Sequence, residues 1–139
     1  MARPVRAALI QATTCEPASS PVAAIKQAMI DKHVAMITQA AGQGAQVVCL
    51  QEVFYGPYFC AEQDAKWYGL TERIPDGPTC RLMMELARSL GIVLVVPMYE
   101  EDLTGVYYNT AAVIDADGSY LGKFRKMHIP QCQPGFWEK

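Results

Sequence analysis

The apolar run Val47-Val48-Cys49-Leu50 leads into Gln51-Glu52, and far downstream Lys123-Phe124-Arg125-Lys126-Met127-His128-Ile129-Pro130 carries three cations. A carboxylate and a lysine can flank a reacting carbonyl, the first moving protons and the second stabilising an oxyanion. Glu52 stands just past a strand-like run, and in open α/β sheets sites gather outside the carboxyl ends of strands. Beside Phe54, Tyr55 and Tyr58 such a carboxylate can have a raised pKa and act as a base. A solvated or helix-capping glutamate is the plainer reading of the same residue. Alternation puts Phe124, Lys126 and His128 on one face of an extended segment and Lys123 and Arg125 on the other. Lys126 then stands beside an aromatic ring, where a desolvated ammonium can meet an oxyanion. The plainer alternative is an edge strand whose lysines deter pairing.

Three further residues carry weaker chemistry. His128 precedes Ile129-Pro130; a hydrogen-bonded structural histidine is favoured over a catalytic acid. Asn109, entering a strand in Tyr107-Tyr108-Asn109-Thr110, is suited to pinning a loop by side-chain hydrogen bonds. Glu138, in Pro134-Gly135-Phe136-Trp137-Glu138-Lys139, is a second carboxylate in an aromatic setting, against which stands the ordinary mobility of charged chain ends. Gly42-Gln43-Gly44 lacks the other glycines and the lysine of a phosphate loop. Neither G-x-S-x-G nor H-E-x-x-H occurs.

The elements that must position these residues follow from periodicity. Residues 5–12 read as a first strand, and residues 13–21 as a turn-rich loop in which Ser20 is expected to cap a helix with Pro21 at its first position. From residue 22 to 41, Val22, Ile25, Met29, Met36, Ile37 and Ala40 recur every three or four positions, one face of an amphipathic helix. Residues 47–50 and 92–96 are apolar without alternation and predict strands buried on both faces. Between them residues 79–90 predict a second helix, with Leu82, Met83, Leu86, Ala87 and Leu90 inward and Gly91 as its stop. Residues 107–114 and 119–126 read as a hairpin joined by Asp115-Ala116-Asp117-Gly118. The order is that of an α/β fold with a mixed sheet.

Bulk composition narrows the function classes. The chain has 139 residues, 51% of them apolar, with a formal charge of −2. That is one domain's worth of chain with enough apolar residues for a core. The charge balance offers no electrostatic reason to bind nucleic acid or an anionic membrane. No apolar run approaches the roughly 18 residues of a membrane span, and the first residues lack the apolar stretch of a secretory signal. Cys15, Cys49, Cys60, Cys80 and Cys132 form no C-x-x-C pair, which argues against a zinc site or a disulfide scaffold. Reduced thiols in a cytoplasmic protein are expected.

Taken together, residues 5–11, 47–52, 109–118 and above all 122–130 resemble the carbon–nitrogen hydrolase family, or nitrilase superfamily. Within it, residues 52–60, 125–130 and 134–139 are most similar to the N-carbamoyl amidases, the β-ureidopropionase and N-carbamoylputrescine amidase type. The resemblance implies a four-layer αββα sandwich, homo-oligomers and catalysis without metal or organic cofactor. It also implies a Glu–Lys–Cys triad, with Glu52 as general base, Lys126 as the oxyanion-stabilising lysine and Glu138 as a second glutamate that positions substrate. The family's nucleophilic cysteine follows a later strand, and nothing here matches it; Cys132 is six residues past Lys126 in a different local sequence. Residues 1–139 are therefore expected to be the N-terminal portion of that sandwich, incomplete at its C-terminus and inactive alone. The complete enzyme would cleave a small N-carbamoyl amine or amino acid to amine, CO2 and ammonia. An ω-amidase or general nitrilase-like amidase is the alternative enzyme. A non-catalytic remnant that packs with a full-length homologue is the alternative of another class.

Overall fold

β-branched and apolar residues at 47–49 and 93–98 cannot be solvated cheaply, and they form the middle of a mixed five-stranded sheet. The computed structural model describes residues 3–58 and 64–129. In chain order the elements are β1 (Ala7–Leu9), α1 (Val22–Gly42), β2 (Val47–Cys49), a 3-10 helix (Ala65–Leu70), α2 (Pro78–Leu90), β3 (Val93–Leu103), β4 (Val106–Ile114) and β5 (Tyr120–Arg125). The strands lie side by side in that same order. β1, β2 and β3 are parallel, and β4 and β5 continue as antiparallel neighbours.

The α/β layout is as the sequence indicates, with adjustments at its edges. β3 runs to Leu103, well past the apolar stretch, because its polar second half pairs with β4 from Met98↔Thr110 to Leu103↔Val106. Ser20 does not cap α1: its hydroxyl bonds the Glu16 carboxylate at 3.2 Å, and Pro21 occupies the N-cap position without a side-chain bond. In α2 the inward side is Thr79, Cys80, Met83 and Ala87, whereas Leu82 is exposed. Gly91 ends α2 in the left-handed conformation, φ 65°, as its stop position requires.

The strands are not buried equally on their two faces. Val48, Leu94, Val96, Met98, Ala112 and Ile114 are fully buried in one core with Ile25, Met29 and Ile37 of α1 and Cys80, Met83 and Ala87 of α2. The alternate positions Val47, Cys49, Val93, Val95 and Val113 are only partly covered. The reason is topological. The order β1, β2, β3 advances in one direction, so two right-handed crossovers place both helices on the same side. Across the opposite face run two rows of paired residues, Leu9–Cys49–Val95–Val113 and Pro97–Ala111–Phe124. Leu9 is 83% and Phe124 64% exposed, so this face is open at its rims among the described residues.

The hairpin that carries Lys126 is fixed at its turn. Gly118, at φ 84°, donates to the Asp115 carbonyl, and Asp115 donates to the Ser119 carbonyl. A Cβ at 118 would come within 2.6 Å of the Met84 carbonyl oxygen, so no larger residue fits there.

Candidate active site

The sheet directions bring the candidates to one rim. β5 runs the same way as β2 and β3, so the ends of β2 and β5 and the start of β4 share an edge. After β2 the chain crosses β3, with Leu50 donating to the Val95 carbonyl and Phe54 to the Pro97 carbonyl. Phe54 and Tyr55 anchor this crossing from below, both fully buried. Phe54 packs edge-on against His33 at 4.9 Å. The Tyr55 hydroxyl donates to the Tyr99 carbonyl and accepts from its amide, at 3.1 and 2.8 Å. Between these anchors and Glu52 sits Val53, buried and at φ 46°. A β-branched residue in the left-handed region is strained.

On this crossing Glu52 meets its partners. Its Oε1 accepts from Lys126 Nζ at 2.9 Å and from Asn109 Nδ2 at 2.7 Å. Among the described residues Oε2 receives no hydrogen bond. The Lys126 backbone amide donates to the Asn109 carbonyl at 2.8 Å, so these two residues are joined by main chain as well as through Glu52. The hydrogen bond from Lys126 lowers the Glu52 pKa most; partial burial opposes it, and Asn109 and the Lys126 charge add to it. The net result is a carboxylate held below its ordinary range, contrary to the raised pKa suggested by the aromatic neighbours. A cation at hydrogen-bond distance outweighs partial desolvation.

The three residues line a cleft of about 540 Å³ with Pro97, Ala111, Phe124, Met127 and His128. Its floor is the paired row Pro97–Ala111–Phe124. Phe124 does share the face of Lys126, but the Lys126 side chain is 33% exposed, so the ring does not desolvate it fully. His128 is exposed in the cleft wall. Cys15, Cys49 and Cys80 are free thiols and none lines the cleft. Glu138 and Cys132 lie outside the described residues. Among the described residues no group of three His, Cys, Asp or Glu side chains is placed to hold a metal ion. No described helix is long and apolar enough to cross a membrane.

Sequence reasoning missed several buried polar centres, Glu100 and His33 among them. Glu100, with no exposed side-chain area, accepts from Arg125, Lys123 and Thr110. His33 is wholly buried on α1. The first had a signal in the face shared by Lys123 and Arg125, but not the identity of its partner. The second fell on the apolar stripe between Met29 and Ile37 and could have been found there.

A carboxylate and a lysine in contact over an apolar cleft at a sheet rim are groups that can move a proton and hold a negative charge. The carbon–nitrogen hydrolase family model matches residues 6–139, and the chain belongs to that family. It is 40% identical over 104 residues to an N-carbamoylputrescine amidase of Solanum lycopersicum, covering 75% of this chain and 34% of that one. It is 33% identical over 131 residues to a β-ureidopropionase of Arabidopsis thaliana, covering 93% of this chain and 32% of that one. The crystal structure of a carbon–nitrogen hydrolase from Helicobacter pylori superposes with a TM-score of 0.80 at 29% identity, covering 96% of this chain and 42% of that chain. The chain thus spans about a third of the length of the curated relatives it matches.

Proposed function

We propose that Glu52 and Lys126 are the general base and the oxyanion-stabilising lysine of a hydrolase acting on ureido C–N bonds of small N-carbamoyl amines or amino acids. The observation that supports this most is the 2.9 Å contact between Lys126 Nζ and Glu52 Oε1 beside the cleft. The names of both curated relatives point to N-carbamoyl substrates. Residues 1–139 supply these two groups, and the nucleophilic thiol comes from a segment corresponding to the relatives' remaining length. Glu138 is assigned to substrate positioning, and Asn109 holds the base in place.

The ureido carbonyl is a weak electrophile, because both nitrogens donate into it, so it needs a strong nucleophile and a stabilised oxyanion. Glu52 takes the thiol proton, and the thiolate adds to the carbonyl carbon. Lys126 holds the resulting oxyanion by charge and hydrogen bond. Collapse expels ammonia, which carries away the proton Glu52 had accepted. Water, deprotonated by Glu52, then attacks the carbamoyl thioester. The thiol is released with a carbamate, which falls apart to amine and CO2. Glu52, held below the ordinary carboxylate range by Lys126, is ionised at neutral pH and open to a proton. Homo-oligomer assembly belongs to the same reading.

The test is a chimera in which residues 1–139 replace the matching segment of the tomato N-carbamoylputrescine amidase. Ammonia release from N-carbamoylputrescine or N-carbamoyl-β-alanine is expected, lowered about 100-fold or more by Glu52→Gln or Lys126→Ala. A folded chimera whose turnover is indifferent to both changes would remove these residues from the chemistry. The 139-residue chain alone is expected to release no ammonia. Turnover by it that vanishes in Cys132→Ser would instead place the nucleophile at Cys132.

A further inference from the structure

Three cations stand close together in Lys123-Phe124-Arg125-Lys126, and only one of them reaches Glu52. The other two converge on Glu100, whose side chain is wholly buried on the helix-covered face of β3. Arg125 grips it with two nitrogens, Nε to Oε2 at 3.0 Å and Nη2 to Oε1 at 2.9 Å. Lys123 Nζ bonds Oε1, and Thr110 Oγ1 donates to Oε2 at 2.8 Å. Asp102 takes the outer side of the same two cations, 3.0 Å from Arg125 and 3.8 Å from Lys123. The Arg125 guanidinium also lies 3.7 Å from the centre of the Tyr108 ring.

This cluster ties β3, β4 and β5 together at the register that matters. Arg125 pairs with Thr110 and Lys123 with Ala112, both on the buried face. The next residue, Lys126, then falls on the open face, with its amide on the Asn109 carbonyl. β5 is the last strand of this sheet, and its open-face side chains are exposed, so apolar burial alone specifies its register weakly. A slip of one residue would send Lys126 to the buried side and present Arg125 to the cleft. Two forked hydrogen bonds from Arg125 onto a buried carboxylate forbid that slip geometrically as well as by charge.

We infer that Glu100 is a positioning residue for the site: by clamping Lys123 and Arg125 on the buried face of β5, it selects Lys126 as the lysine that pairs with Glu52. The inference rests on the reading of Glu52 and Lys126 as the working pair. It assigns a function to a carboxylate that touches neither the cleft nor any reacting group. It also explains why two neighbouring cations do not compete for Glu52.

The test follows the Glu52 carboxyl carbon by NMR titration in the 139-residue chain. Lys126→Ala sets the scale, raising the Glu52 midpoint by the full effect of the lost lysine. Glu100→Gln and the charge-balanced double variant Glu100→Gln/Lys123→Met are then compared, each checked for a native-like amide spectrum. Removal of a nearby negative charge would by itself lower the Glu52 midpoint. The clamp requires the opposite, a rise of about half or more of the Lys126→Ala effect, as Lys126 leaves its place. Exchange protection at the Lys126 amide should fall with it. A folded variant with an unchanged or lowered midpoint overturns the role of Glu100 and leaves the Glu52–Lys126 pair standing. Failure of both variants to fold overturns it too, because the cluster is then a stability element only. No rise in Lys126→Ala overturns the pair and the clamp together.

Discussion

Asn109 and Lys126 are joined twice: the Lys126 amide donates to the Asn109 carbonyl, and both side chains donate to the same Glu52 oxygen. One strand pairing therefore sets one of the three distances in the site and brings both donors to the same Glu52 oxygen. Lys126→Ala is expected to raise the Glu52 midpoint, since its hydrogen bond is the largest cause of the depression, and Asn109→Ala to raise it less. Carboxyl NMR titration of the two variants gives the order. A larger effect from Asn109→Ala would contradict the geometry.

The buried cluster makes the fold acid-sensitive. Burial pushes the Glu100 carboxyl up, but hydrogen bonds from Arg125, Lys123 and Thr110 outweigh burial and hold it below its ordinary range. With the folded pKa below the unfolded one, the stabilisation is complete above the unfolded value of about 4.3. It is lost as pH falls through the folded value. Urea midpoints measured from neutral pH down to about pH 3 should fall along that path. In a folded Glu100→Gln the fall should be shallower. An equal slope would mean other carboxylates carry it.

His33 adds a second acid response at higher pH. Its Nδ1 donates to the Met29 carbonyl at 2.7 Å, and its Nε2 has no hydrogen-bond partner among the described residues. Burial is the main cause of its lowered pKa; the Met29 bond opposes it and the Lys32 charge adds to it. Well above the unfolded value of about 6.5 the ring is neutral in both states and contributes no pH dependence. Below that, the unfolded chain takes a proton that the folded one resists, so stability drops as pH falls toward the folded value. His33→Leu should flatten urea midpoints between about pH 6.5 and pH 5. A slope that survives the substitution would exclude His33 as its source.

The open face of the sheet predicts association. Leu9, Phe124 and Met127 are exposed there or at its rim. Together with the half-covered Cys49, Val95 and Val113 they make an apolar surface of the kind monomers rarely leave bare. The 139-residue chain should bind a hydrophobic dye and elute from size exclusion larger than a monomer. Leu9→Lys, on edge strand β1, should reduce both. A clean monomer without dye binding would mean this face is covered.

Much of this arrangement is legible in the sequence because short-range patterns carry it. The apolar run of β2, the period of α1 and the Asp-Gly turn before β5 each have a local physical cause. Alternation along the extended segment likewise suffices to separate Lys126 from Lys123 and Arg125. What is not legible is pairing across the chain. The polar end of β3, Tyr99-Glu100-Glu101-Asp102, lies beyond the apolar run at 92–96 and becomes strand through pairing with β4 and the hydroxyl and cation partners that β4 and β5 bring. The Glu52 pKa inverts the sequence expectation for the same reason: aromatic neighbours are visible in sequence, whereas the distance to Lys126 is not. Ser20 shows the limit of local rules, since Glu16 took the hydroxyl a helix start would have used.

Val53 carries a consequence for how this protein can change. Its φ of 46° is easy for glycine and costly for valine, yet its side chain is buried next to Glu52 in the chain. Val53→Gly would relieve the backbone but remove buried apolar area and loosen the peptide that carries Glu52. Stability and site precision are therefore set against each other at a single position. Any replacement at 53 trades relief of the backbone against the buried contact that holds the Glu52 peptide in place.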